Sequence, residues 1–67
     1  MDVAVGERGI RLGQLLKLVG LVDSGGAARG LIESGEVRVN GEPEVRRGRQ
    51  LAAGDVVECA GERISLS

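Results

Sequence analysis

The sequence contains no Phe, Tyr, Trp or His and only one cysteine and one proline. Without aromatic rings, the core must consist of Leu, Val, Ile and Ala, and recognition by stacking nucleic-acid bases on aromatic side chains is excluded. Cys59 has no second cysteine or histidine to form a disulfide, a metal site or a nucleophile–base pair. We therefore predict that the chain is not an enzyme, uses no metal or cofactor, takes no small-molecule substrate and buries Cys59 in its core.

Long apolar runs are also missing. No stretch approaches the roughly 20 residues of a membrane helix, and none resembles a signal peptide. We therefore expect a cytoplasmic protein that does not contact membranes. Sixty-seven residues predict a single domain over 1–67.

Two helical patterns come first along the chain. Large apolar residues recur at the spacing of one helical face: Leu12, Leu15, Leu16 and Val19. This pattern predicts a helix from about residue 12 to residue 19, ended by Gly20. Ser24 is a good N-cap for a second helix, which Gly35 ends.

The periodicity then changes to that of strands. Val37 to Val39 alternates, and Asn40-Gly41 is a strong hairpin signal. A two-residue turn would place Val37 opposite Glu44, whereas a three-residue turn with a bulge would place it opposite Val45, and we favour the second because it pairs two apolar residues. With further strands near Val56 and Ile64, the sequence predicts an α+β domain: two short helices, then about four strands, with the helices packed on a small, twisted, mostly antiparallel sheet.

Eight of the nine basic residues are arginines, although the formal net charge is −1. Arg46, Arg47 and Arg49 fall within four positions around Gly48. Such a loop can bind a phosphate backbone through guanidinium forks. The alternative is a solvated loop whose arginines pair with Glu42 and Glu44, at about 0–1 kcal/mol for each exposed pair. In either case we expect all three arginines to be exposed.

A family resemblance rests on Arg11-Leu12 at the helix start, Val39-Asn40-Gly41 at the hairpin and Gly54-Asp55-Val56-Val57 downstream. Over about residues 10 to 59 the chain resembles the S4-type RNA-binding domain, whose fold is called the αL motif. The run Arg46-Arg47-Gly48-Arg49 is similar to that of small free-standing bacterial members. The resemblance implies binding to structured RNA, either ribosomal or tRNA-like.

The family makes its RNA contacts from the early helices and the adjoining strand and loop. Carried over to this chain, the implied RNA-binding residues are Arg11, Lys17, Arg29, Arg38, Asn40, Arg46, Arg47 and Arg49. Two departures stand out. Gly13 replaces an Asp that is common in the family, and Gly25 replaces an Arg, which removes one expected phosphate contact.

The alternative function is a protein-interaction adaptor that keeps the fold without binding RNA. Its support is the net acidity, Gly25, and Leu18, which the helical spacing places on the outer side of the first helix. A continuous positive face through Arg29, Arg38 and the arginine run would favour RNA, whereas arginines each neutralised by a glutamate would favour the adaptor.

Overall fold

A computed structural model describes residues 1–67, which form two helices and seven short strands. The elements in chain order are β1 (Asp2–Val3), β2 (Ile10–Arg11), α1 (Leu12–Leu18), α2 (Gly25–Glu33), β3 (Arg38–Val39), β4 (Glu42–Pro43), β5 (Gln50–Leu51), β6 (Val56–Cys59) and β7 (Glu62–Leu66). Neither helix is long and apolar enough to cross a membrane.

Both helices form where the apolar spacing predicts them. In α1, Leu12, Leu15 and Leu16 are completely buried, and Gly20 follows the helix with a left-handed φ of +79°. In α2, the Ser24 hydroxyl accepts a hydrogen bond from the backbone N–H of Ala27 at 3.1 Å, as expected of an N-cap. The two helices pack against each other.

The main sheet has the strand order β1-β7-β6-β3-β4. Every neighbouring pair is antiparallel except β1 and β7, which run parallel. The predicted α+β class, with helices on a mostly antiparallel sheet, is therefore confirmed. The expected count of about four strands was too low, because β1 adds a parallel edge and β2 pairs with β5 as a separate two-stranded ribbon.

The hairpin between β3 and β4 corrects the predicted register. Asn40 and Gly41 have φ values of +53° and +84°, the signature of a two-residue type I′ turn, and Val39 pairs with Glu42. The prediction of a bulge that pairs Val37 with Val45 is wrong. The backbone N–H of Glu44 donates instead to the Val37 carbonyl at 2.9 Å.

The consequence of this register is that Glu44 points inward and Val45 outward. Glu44 is only 6% exposed, whereas Val45 is 57% exposed. A buried carboxylate needs ionic or hydrogen-bonding partners. The arginine-rich loop that follows β4 supplies them, which is why a charged residue takes the position where an apolar one was expected.

A single aliphatic core joins the helices to the sheet. The buried cluster is Leu12, Leu15, Leu16, Ile32, Val37, Val39, Leu51, Val57, Cys59, Ile64 and Leu66. Cys59 is a free, buried thiol, as predicted, and burial raises its pKa. Two surfaces are then left to the polar residues: the outer side of the helices and the outer side of the sheet.

Candidate functional site

The arginine-rich loop (residues 44–49) joins β4 to β5 and docks on the first turn of α1. The backbone N–H of Gly13 donates to the Arg47 carbonyl, and that of Leu12 donates to the Arg49 carbonyl, both at 2.9 Å. The first N–H groups of a helix have no partner within the helix. The loop backbone therefore anchors the start of α1, where this chain has Gly13.

Glu44 organises this loop through both carboxylate oxygens. Arg46 binds it in a forked pair, with Nε 3.2 Å from Oε2 and Nη2 3.0 Å from Oε1. Arg49 adds a contact from Nη1 to Oε1 at 2.8 Å. The backbone N–H groups of Val45 and Arg46 donate to Oε2 at 3.1 and 3.3 Å. The carboxylate thus accepts five hydrogen bonds, all from the residues that follow it.

These donors hold the pKa of Glu44 at about 2, well below its ordinary value of 4.5. The hydrogen bonds from the Arg46 and Arg49 guanidiniums are the main cause, and partial removal from water opposes them. Glu44 is the only charged residue in the buried set. Sequence reasoning missed it as an organising residue, although a strict two-residue turn at Asn40-Gly41 would have placed it opposite Val37.

The three clustered arginines therefore differ in their surroundings. The side chain of Arg49 is 36% exposed, so the expectation that all three are exposed is wrong for this residue. Arg46 is 72% exposed but is engaged by Glu44. Arg47 is exposed and takes part in no ion pair. The paired-arginine interpretation holds for two of the three, with Glu44 as the partner and not Glu42.

A shallow cationic depression of about 260 Å³ lies where the loop meets the helices. Its lining includes Arg11, Gln14, Lys17, Gly25, Arg47 and Gly48. Arg11 immediately precedes α1, and Gln14 and Lys17 follow within it at every third position; all three are exposed, unlike the buried leucines of α1. None of the three cationic side chains, Arg11, Lys17 and Arg47, has an acidic partner. Three unpaired cations around one hollow can bind a phosphate or a carboxylate.

Arg29 lies next to this depression without joining it. A second hollow of about 220 Å³ is lined by Arg29, Glu33, Val45 and Arg47, so Arg47 borders both. The Arg29 Nε donates to Glu33 Oε1 at 2.9 Å along α2. Its charge is therefore already matched by an exposed acid, which raises the Arg29 pKa further.

Arg38 and Asn40 are outside both hollows. Arg38 lies on the outer face of the sheet, opposite Glu58 of β6, and donates to the Gly41 carbonyl at 3.4 Å. The Asn40 side chain donates to Asp55 Oδ1 at 3.0 Å and accepts from the Val56 N–H at 2.9 Å. Both the NH2 group and the oxygen of its side-chain amide form hydrogen bonds within the protein, which gives Asn40 a role in the fold. The structure thus brings together Arg11, Lys17 and Arg47 among the eight predicted residues.

Comparison with known proteins gives one consistent picture. A family model described as the S4 domain matches residues 3–67. A probable ribosome maturation protein of Bacillus subtilis, RlbA, is 54% identical over 52 residues, covering 78% of this chain and 73% of that protein. A putative RNA-binding protein of Escherichia coli, YbcJ, is 37% identical over 57 residues, covering 85% and 81%.

A solved structure agrees with the fold described above. The solution structure of Escherichia coli YbcJ, described as revealing an αL motif involved in RNA binding, superposes with a TM-score of 0.73 at 33% identity. The superposition covers 97% of this chain and 84% of YbcJ.

Proposed function

This chain belongs to the S4 domain family, and from that premise we propose that it binds structured RNA through the cationic depression. The observation that carries the proposal is the convergence of Arg11, Lys17 and Arg47, three cations without acidic partners, on one exposed hollow. Guanidinium and ammonium groups suit phosphate oxygens. Since no aromatic side chain is available for stacking, we infer recognition of backbone and shape, as in a helix or junction.

We favour ribosomal RNA over a tRNA-like RNA as the ligand. The support is the relative in Bacillus subtilis, which carries the name of a probable ribosome maturation protein. Because phosphate contacts carry no base information, the site itself offers no preference between two folded RNAs of similar shape.

The test is a titration of a folded RNA hairpin and a single-stranded homopolymer at several salt concentrations. We expect a preference for the hairpin and a fall of log affinity with log salt whose slope has a magnitude (the salt slope) of roughly three, one for each cation that neutralises a phosphate. Arg11→Ala/Arg47→Ala should lower that slope by about two. The charge-matched control, Arg8→Ala/Arg63→Ala, removes two exposed arginines that do not line the depression and should leave it nearly unchanged.

The same titration separates the adaptor function from the proposed one. The adaptor is favoured by a specific observation, that Arg29 pairs with Glu33 while Arg46 and Arg49 share the carboxylate of Glu44, and by the 64% exposure of Leu18. If the parent protein binds neither RNA, or if both double variants bind as well as the parent, the adaptor becomes the better description.

Gly25 offers a gain-of-function prediction. A Cβ at Gly25 would meet no atom within 4 Å, and its φ is ordinary, so an arginine fits at the rim of the depression. Gly25→Arg should raise the salt slope by about one and strengthen hairpin binding. Its effect on stability should be small, because two contributions oppose each other. Replacing glycine within a helix stabilises by about 0.8–1 kcal/mol, whereas placing a cation at a helix N-terminus destabilises by about 0.3–1 kcal/mol.

The matched control is Gly30→Arg, which adds the same charge to α2 at a site that is equally open but does not line the depression. Filter binding or fluorescence anisotropy at fixed salt would compare the two variants. Equal gains from both would mean that total charge, and not the depression, governs binding.

A further inference from the structure

Glu44 is a buried acid next to a site that we assign to a phosphate backbone. A carboxylate repels phosphate, and this one is 6% exposed, so it does not contact RNA directly. Its neighbours on the exposed side are Arg46 and Arg49, which share its single negative charge. On charge alone, Glu44 weakens RNA binding, and its presence beside the site therefore calls for another role.

The contacts of Glu44 run through the loop to the depression. All its donors belong to residues 45, 46 and 49, and the Arg49 N–H closes a turn by donating to the Arg46 carbonyl at 3.2 Å. Arg47 lies inside this turn. Its carbonyl receives the Gly13 N–H of α1, which holds the Arg47 backbone beside Arg11 and Lys17.

We propose that Glu44 is a positioning residue for RNA binding. By binding Arg46 and Arg49 it holds the loop in the conformation that places Arg47 at the cationic depression. The inference rests on the proposed RNA-binding function and deepens it. It divides the arginine run into two roles, with Arg46 and Arg49 holding the loop and Arg47 contacting phosphate.

The test uses Glu44→Gln, Arg47→Ala and the double variant in hairpin titrations at several salt concentrations. We expect Glu44→Gln to weaken binding and lower the salt slope by about one, although it removes a negative charge. In the Arg47→Ala background the Glu44→Gln change should have no further effect, whereas independent sites would add. The matched control, Glu42→Gln, removes the same charge from exposed β4 and should leave binding unchanged or slightly stronger.

Backbone hydrogen exchange gives a readout that does not depend on RNA. Glu44→Gln should accelerate exchange at the Gly13 amide, while the amides of β6 and β7 remain protected, because the loop loosens without global unfolding. If Glu44→Gln does not fold, Arg49→Gln keeps Glu44 paired with Arg46 and should show the same changes to a smaller extent. Its effect should also vanish in the Arg47→Ala background, unlike that of an arginine that contacts RNA itself.

The opposite outcomes would overturn the inference. If Glu44 only withholds Arg46 and Arg49 from RNA, Glu44→Gln will bind more tightly with a steeper salt slope. Additive losses from Glu44→Gln and Arg47→Ala, or unchanged exchange at Gly13, would also contradict it. If the parent protein binds no RNA, the proposed function fails, and exchange at Gly13 alone decides whether Glu44 holds the loop in place.

Discussion

Replacing Arg46 and Arg49 together with alanine should lower the melting temperature by about 4–8 °C. The double change leaves the buried Glu44 carboxylate with only the two backbone N–H groups of Val45 and Arg46. A buried charge that loses its partners is far more destabilising than an exposed ion pair that is broken. The loss should also loosen the carbonyls that cap the start of α1.

Arg47→Ala is the comparison that makes this result specific. Arg47 is exposed and has no ion pair, so its removal should leave the thermal melt nearly unchanged while weakening RNA binding. Replacing all three arginines should therefore destabilise the fold, although the sequence alone predicts that all three are exposed. Circular dichroism melts of the double and single variants measure the difference. Equal melting temperatures would mean that water screens the Glu44 pairs as it does ordinary surface pairs.

The helices and the general layout of this domain could be predicted from the sequence because their signals are local. The leucine spacing of α1 and the Ser24 cap depend on neighbours within one or two turns. The parallel pairing of β1 with β7 could not be predicted, since it joins residues more than sixty positions apart, such as Asp2 and Ser65. Two-residue strands such as β2 and β5 also carry too few residues for an alternating pattern.

The candidate site was predictable in residue type and not in arrangement. Arginine content and spacing pointed to the loop, yet which arginine is free depends on the direction in which Glu44 points. The direction of the Glu44 side chain follows from the register of the β3–β4 hairpin. The sequence alone favours pairing Val37 with Val45 over burying the charge of Glu44. The register that forms pairs the carboxylate with two guanidiniums, so its burial is compensated.

Acidification should provide the second large effect, and Glu44 should account for much of it. Its pKa is about 2 in the folded protein and ordinary, near 4.5, in an unfolded chain. The unfolded state therefore binds a proton that the folded state does not between these two values. Stability from this residue is fully present above about pH 4.5 and is lost as pH falls through about 2.

The measurement is the free energy of unfolding of the parent and of Glu44→Gln from about pH 7 down to pH 2. The variant should be less stable at neutral pH, and the two curves should converge as pH falls from about 4.5 to about 2, because in that range the unfolded parent binds a proton at Glu44 that the folded parent does not. Asp55 also has a lowered pKa, owing to the Ala52 N–H and the Asn40 amide, and its contribution has the same sign. Since Asp55 is present in both proteins, the difference between the curves isolates Glu44. A constant difference across the whole range would show that the carboxylate charge does not hold the loop, and that the variant loses stability for another reason.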